Sequence, residues 1–167
     1  MAYDSDEVEY ESTFTNIEVA LRDMDAYQDW EDTFEQAREQ AMEDDELDAD
    51  TERRFAQMLV DLYAESSLQR ASAEESAGSL KAQADRHKQR GDEKGRYDME
   101  RRAGENERRK GEYEHDQQAF IEGMELLGQL SDNVSGAYLR EEGEKERDRN
   151  LPDSVRQDSD DRHEVER

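Results

Sequence analysis

Chemistry in a protein chain needs particular side chains at particular spacings, and this sequence offers few. Glu112 and His115 form an E-x-x-H pair. On a helix that spacing puts a carboxylate and an imidazole on one side, a unit that di-iron helical bundles use twice, together with two further glutamates. A second such pair on a helix is missing, and neither residue falls on the apolar seam described below. Among 48 acidic residues and three histidines, one chance pair of this kind is expected. His87 takes a seam position near a helix end, and His163 falls in a polar tail. The acid pairs Asp44–Asp45 and Glu141–Glu142 read as solvated charge, because nothing in their surroundings suggests a pocket that would shift their pKa values. The chain shows no glycine-rich phosphate loop, nucleophile elbow, H-E-x-x-H motif or EF-hand loop. It has no cysteine, which excludes disulfides, thiolate metal ligands and cysteine nucleophiles. The expectation is a non-enzymatic protein with no catalytic, cofactor-binding or metal-ligating residues and no cofactor.

Charge is the more informative signal. The 167 residues carry 48 Asp and Glu against 23 Lys and Arg, a formal charge of −25. The cations are 18 Arg and only 5 Lys, and Ile occurs only at Ile17 and Ile121. This composition resembles that of proteins from salt-in halophiles, haloarchaea and their viruses, although it points to no family. At molar salt the Debye length falls to about 3 Å, which screens the self-repulsion such a charge would otherwise cause. The charge is also unevenly spread. Residues 1–50 hold 19 acidic and 2 basic side chains, whereas residues 81–110 hold 7 acidic and 11 basic ones. The basic segment includes Arg90, Lys94, Arg96, Arg101, Arg102, Arg108 and Arg109.

These groups must be positioned by helices. Val, Ile and Thr together number 12, and no alternating apolar run of strand length stands out. Residues 1–13 are acidic, with Tyr3, Val8 and Tyr10 interspersed, and read as a flexible arm. Thr15 and Glu18 have the spacing of a capping box, with Phe14 and Val19 placed as a hydrophobic staple, so a first helix is expected over about 15–46. Ile17, Leu21, Met24, Tyr27, Phe34 and Ala41 form its apolar arc, with Trp30 and Ala37 on the flank. A second helix is expected over about 50–90, capped by Asp50. Its seam runs Phe55, Leu59, Leu62, Ser66, Gln69, Ala73, Ser76, Leu80, Gln83 and His87. A turn over about 91–95 then leads to a third helix over about 96–146. There Met99, Asn106, Tyr113, Phe120, Leu127 and Val134 recur every seven residues. Six glycines in this stretch argue for kinks or close backbone approaches. Residues 147–167, with the only proline, Pro152, read as a disordered polar tail.

The expected fold is all-α: an elongated three-helix bundle or antiparallel coiled-coil hairpin, forming one helical domain over 14–146 between flexible acidic termini. Folding at about residue 93 sets Leu62 beside the region of Met124 and Leu80 beside that of Asn106. Folding at about residue 48 sets Ile17 near Ala77. Leu, Ile, Val and Phe make up only 23 residues, too few for a large core, so association is the natural way to bury the rest of the apolar arc. Tyr27, Trp30, Phe34 and Ala37 are the interface candidates, left facing outward if the other helices cover the Ile17–Met24 side. The sequence thus points to a structural or assembly protein of a halophile, with a virion or virus-assembly role (neck, tail or scaffold) as one setting. Its expected partners are further copies of itself, as a homo-oligomer, or other structural proteins. Nucleic acid is a less favoured partner of the basic arm, and an acidic module mimicking nucleic acid is the other alternative. No membrane partner is expected: no apolar run approaches the ~18 residues of a span and no signal peptide is evident. The expected location is the cytoplasm, or the virion if the protein is viral.

Overall fold

A computed structural model describes residues 5–151. They form five α-helices and, among the described residues, no strand: α1 (Ser5–Asp23), α2 (Tyr27–Asp44), α3 (Ala49–Gln89), α4 (Glu93–Leu130) and α5 (Gly136–Asn150). The class is all-α, but five helices stand where three were expected.

Helix α1 starts well upstream of Thr15, so residues 5–13 are helical and not a flexible arm. The cause is a stripe that begins earlier than it was read. Tyr10, Phe14, Ile17 and Leu21, spaced by four, three and four, are all buried on one face. Thr15 and Glu18 therefore lie inside the helix and form no capping box. Phe14 is a core residue, and Val19, its expected staple partner, is 55% exposed on the other side. Tyr3 lies outside the described residues.

The expected helix over 15–46 is broken by a turn. Met24 and Asp25 leave the helix, Asp25 adopts a left-handed φ of 56°, and the Ala26 N–H closes back on the Leu21 carbonyl at 2.8 Å. α2 then folds back onto α1. The Phe14 ring meets Phe34 edge-on at 5.9 Å and stacks on Phe55 of α3 at 5.6 Å. Because α1 is folded this way, Ile17 sits beside Leu59 and Gly123, not near Ala77.

The cap of α3 is Asp48, not Asp50. Its carboxylate accepts the Thr51 N–H at 2.8 Å and the Gln40 side-chain amide at 2.7 Å. These bonds, the Thr51 backbone first among them, hold Asp48 below the ordinary carboxylate range. α3 runs for 41 residues, about 60 Å at the usual rise. It ends at a tight turn over Arg90–Asp92, where Gly91 takes φ +75°. Asp92 caps α4 by accepting the Gly95 N–H at 3.0 Å. The two long helices are antiparallel: Arg70 pairs with Glu114, Glu74 with Lys110 and Lys81 with Glu107.

The expected third helix ends early, at Leu130. Ser131–Ser135 interrupt it, and the Ser135 hydroxyl accepts the Tyr138 N–H at 3.1 Å to start α5. α5 folds back against α3 and α4. A Cβ at Gly128 would come 2.9 Å from the Gly136 nitrogen, and one at Gly143 would come 2.5 Å from Tyr63 Cδ1. Glycine at these positions is what lets the helices approach so closely. Residues 147–150 belong to α5 and not to a tail, while Pro152, Val155 and His163 lie outside the described residues.

The main core gathers side chains from all five helices, with Phe14, Phe34, Phe55 and Phe120 fully buried. Along the hairpin it stops at Tyr63 and Ala119. Beyond, the α3–α4 seam is built of small residues, Ser66, Ala73, Ala77, Ala84 and Ala103, with Leu80. Ala77 and Ala84 are buried there, while Ser76 is exposed. Small side chains let helices approach but bury little area. No helix among the described residues is long and apolar enough to cross a membrane.

Candidate interaction surfaces

The four aromatic and small residues expected to form an outward stripe on the first helix divide into two groups. Phe34 and Ala37 are fully buried in the core. They are turned inward because the break at Met24–Ala26 lays α2 against α1. Tyr27 and Trp30 are half-buried and pack on the core's edge. The Tyr27 hydroxyl donates to Glu35 at 2.9 Å, the Arg22 guanidinium lies 4.0 Å from its ring centroid, and Arg38 pairs with Glu35 at 2.8 Å. Tyr27 is thus engaged within the fold, and its hydrogen bond to Glu35, aided by burial, raises its phenol pKa.

The basic arm is the distal half of the α3–α4 hairpin, and its cations fall into two sets. Arg96 pairs with Glu93 and Glu100, Arg101 with Asp98 and Glu105, and Arg108 with Glu112. These arginines stiffen α4 through pairs three and four residues apart. Arg90, Lys94, Arg102 and Arg109 make no ion pair among the described residues, and neither do Arg86 and Lys88. Four of these unpaired cations, Arg86, Lys88, Arg90 and Lys94, surround the turn and are exposed. His87 is held at the same turn by Asp92, 3.0 Å from its Nδ1, and reads as a helix-end residue. Tyr97, one turn beyond Lys94 on α4, is 73% exposed.

The E-x-x-H pair is not gathered with other ligands. Glu112 and His115 are both exposed, and no group of three or more His, Asp and Glu able to hold a metal ion occurs among the described residues. Asp44 and Asp45 are exposed at the end of α2, where Asp45 is the left-handed cap. Glu141 and Glu142 reach Lys145.

Two carboxyl pairs were missed in the sequence. Asp116 of α4 is 2% exposed, its Oδ2 has no ordinary partner, and its carboxyl lies against that of Asp23 at the end of α1. Burial first, then the hydrogen bond and charge of Asp23, push Asp116 up to about 8, so a shared proton joins the two groups. Spacing could have flagged it: Asp116 lies three residues after Tyr113 and four before Phe120, on the seam side of α4. The second pair joins Asp61 of α3 to Glu146 of α5, where burial and Asp61 raise Glu146.

Glu146 also lines a groove of about 480 Å³ between the start of α3 and α5. Ala56, Val60, Val134 and Leu139 form its apolar lining, and Tyr138, 53% exposed, stands at it. Glu52 lines it too, and its Oε1 is shielded from solvent with no hydrogen-bond partner. No protein-family model, curated protein or solved structure matches the chain.

Proposed function

We propose that this chain is a non-enzymatic helical assembly protein that works by protein–protein contacts, first with further copies of itself. The observation that carries this reading is the polarity of the molecule. A five-helix body with a strongly acidic N-terminal half is joined to a two-helix arm with a sparse seam, and the arm ends in four exposed cations without ion-pair partners. Lone surface charges are usually inexpensive. At the end of the hairpin Arg86, Lys88, Arg90 and Lys94 outnumber Asp85, Asp92 and Glu93, and on a chain of net charge −25 such a basic end is suited to meeting an acidic surface. The acid-rich, Arg-over-Lys composition fits work at high salt, in a halophile or as a structural component of one of its viruses.

Nucleic acid is the second reading, favoured by Tyr97, an exposed ring beside the same cations that a base could stack on. Light scattering over a hundredfold range of concentration, in 0.5 M and 2 M KCl, separates the two. The assembly reading expects a mass above that of the 19.5 kDa chain that grows with concentration and falls when Arg90 and Lys94 become Ala. A protein that stays monomeric throughout, and binds a labelled DNA duplex through the same two residues, would overturn it in favour of nucleic acid.

A further inference from the structure

The unpaired cations and the groove lie at opposite ends of the same helix. Glu52 is in the first turn of α3, and Arg90 follows its last residue. The 38-residue step from Glu52 to Arg90 spans about 57 Å. Their chemistry is complementary. One end presents Lys88, Arg90 and Lys94 with the exposed Tyr97. The other presents the apolar floor, Tyr138 and the carboxylates Glu52, Glu142 and Glu146. Among the described residues the large apolar side chains most exposed to solvent are Val19, Tyr97 and Tyr138, and the last two belong to these surfaces. Of the groove's two arginines, Arg53 is held by Asp50 at 2.7 Å and Arg149 acts on Glu146, and neither forms an ion pair with Glu52.

We infer that the hairpin tip of one copy seats in the α3–α5 groove of the next, joining copies head to tail. The inference rests on the assembly reading above and specifies the surfaces it uses. Long cationic side chains suit such a groove, because their methylene stems pack on the apolar floor while their charged ends reach the carboxylates. The arriving cation meets the carboxylates that line the groove, Glu52, Glu142 and Glu146. Tyr97 and Tyr138 provide the aromatic surface typical of interface centres. Because the two surfaces are different patches, the contact is heterologous. It extends as an open chain, or closes as a ring, and does not stop at a two-fold dimer. Chain length therefore grows with protein concentration.

The absence of cysteine makes the test direct. A Lys88→Cys protein is mixed with an Arg53→Cys protein, both altered at exposed positions, and treated with a short bismaleimide in 0.5 M and 2 M KCl. Cross-linked heterodimer is expected at least tenfold above that from Lys88→Cys mixed with Ser72→Cys, a control on the exposed flank of α3. Lys94→Glu and Glu52→Lys should each lower the mass seen by light scattering, and combining a tip of one kind with a groove of the other should restore it. Circular dichroism checks that the variants remain helical. Assembly without preferential cross-linking at Arg53 overturns the groove as the docking site and leaves the assembly reading standing. A chain that is monomeric under every condition overturns both.

Discussion

Asp116 shows how one side chain can make stability depend on pH. Its carboxyl is buried against Asp23, with Glu112 on its own helix adding further negative charge. On α3, Arg70 is engaged by Glu114 and Gln117. In the unfolded chain Asp116 ionises near its ordinary value of 3.8, whereas in the folded chain it ionises near 8. Between those values the folded state holds a proton that the unfolded state has lost, so stability falls as pH rises through this window. Glu146, raised by burial and Asp61, acts in the same direction. Asp48, Asp92 and Glu107, all held low, contribute in the opposite sense and only at pH below the ordinary carboxylate range. Thermal melts between pH 5 and 9 at constant KCl should show falling stability. In Asp116→Asn the slope should shrink, because the amide does not ionise and can still donate to Asp23. Above pH 8 the variant should exceed the parent by about 1–2 kcal/mol, roughly 3–6 °C in Tm. An unchanged slope would show that the Asp23–Asp116 pair carries no shared proton.

At the scale of elements, the glycines divide by what surrounds them. Gly104 and Gly111 lie on the arm with nothing within 4 Å of an added Cβ. There glycine only lowers helix propensity, so Gly104→Ala and Gly111→Ala should each stabilise the protein by about 0.5–1 kcal/mol in urea unfolding. Gly143 is different, because an added methyl group would meet the Tyr63 ring at 2.5 Å. Tyr63 is 3% exposed and has little room to move. Gly143→Ala should therefore destabilise by about 1–3 kcal/mol, as overpacked sites do. It should also perturb the groove, which α5 helps to line. If all three substitutions behave alike, α5 is not packed on α3 as described.

For the whole molecule, the balance lies between a modest core and a charge of −25. The core holds four fully buried phenylalanines, while the arm beyond Tyr63 and Ala119 adds little apolar burial. Self-repulsion acts on the folded state more than on the expanded one, and salt screens it. Helicity by circular dichroism and Tm should both rise between 0.1 M and 2 M KCl. The arm should respond least, because within residues 81–110 eleven basic side chains offset seven acidic ones. A fully helical protein with the same Tm across that range would count against adaptation to high salt.

The sequence alone determined the class and the long hairpin. Spacing of three and four marks helices wherever apolar residues line one face, and the apolar seam residues Phe55, Leu59, Leu62, Ala73, Leu80, Phe120 and Leu127 are buried, while the polar Ser76 is exposed and the seam passes instead through Ala77 and Ala84. The charge pattern likewise located the basic arm, since charge is additive along a chain. Chain reversals were decided by the tertiary structure. The breaks at Met24–Ala26 and Ser131–Ser135 leave the apolar rhythm nearly intact on either side, and periodicity reports which face is apolar, not whether the helix turns back. For the same reason Phe34 and Ala37 looked like an outward stripe until α2 folded onto α1. The Asp23–Asp116 and Asp61–Glu146 pairs and the groove beside Glu52 bring together residues far apart in sequence. Their chemistry depends on desolvation and distance, which exist only once the helices have packed.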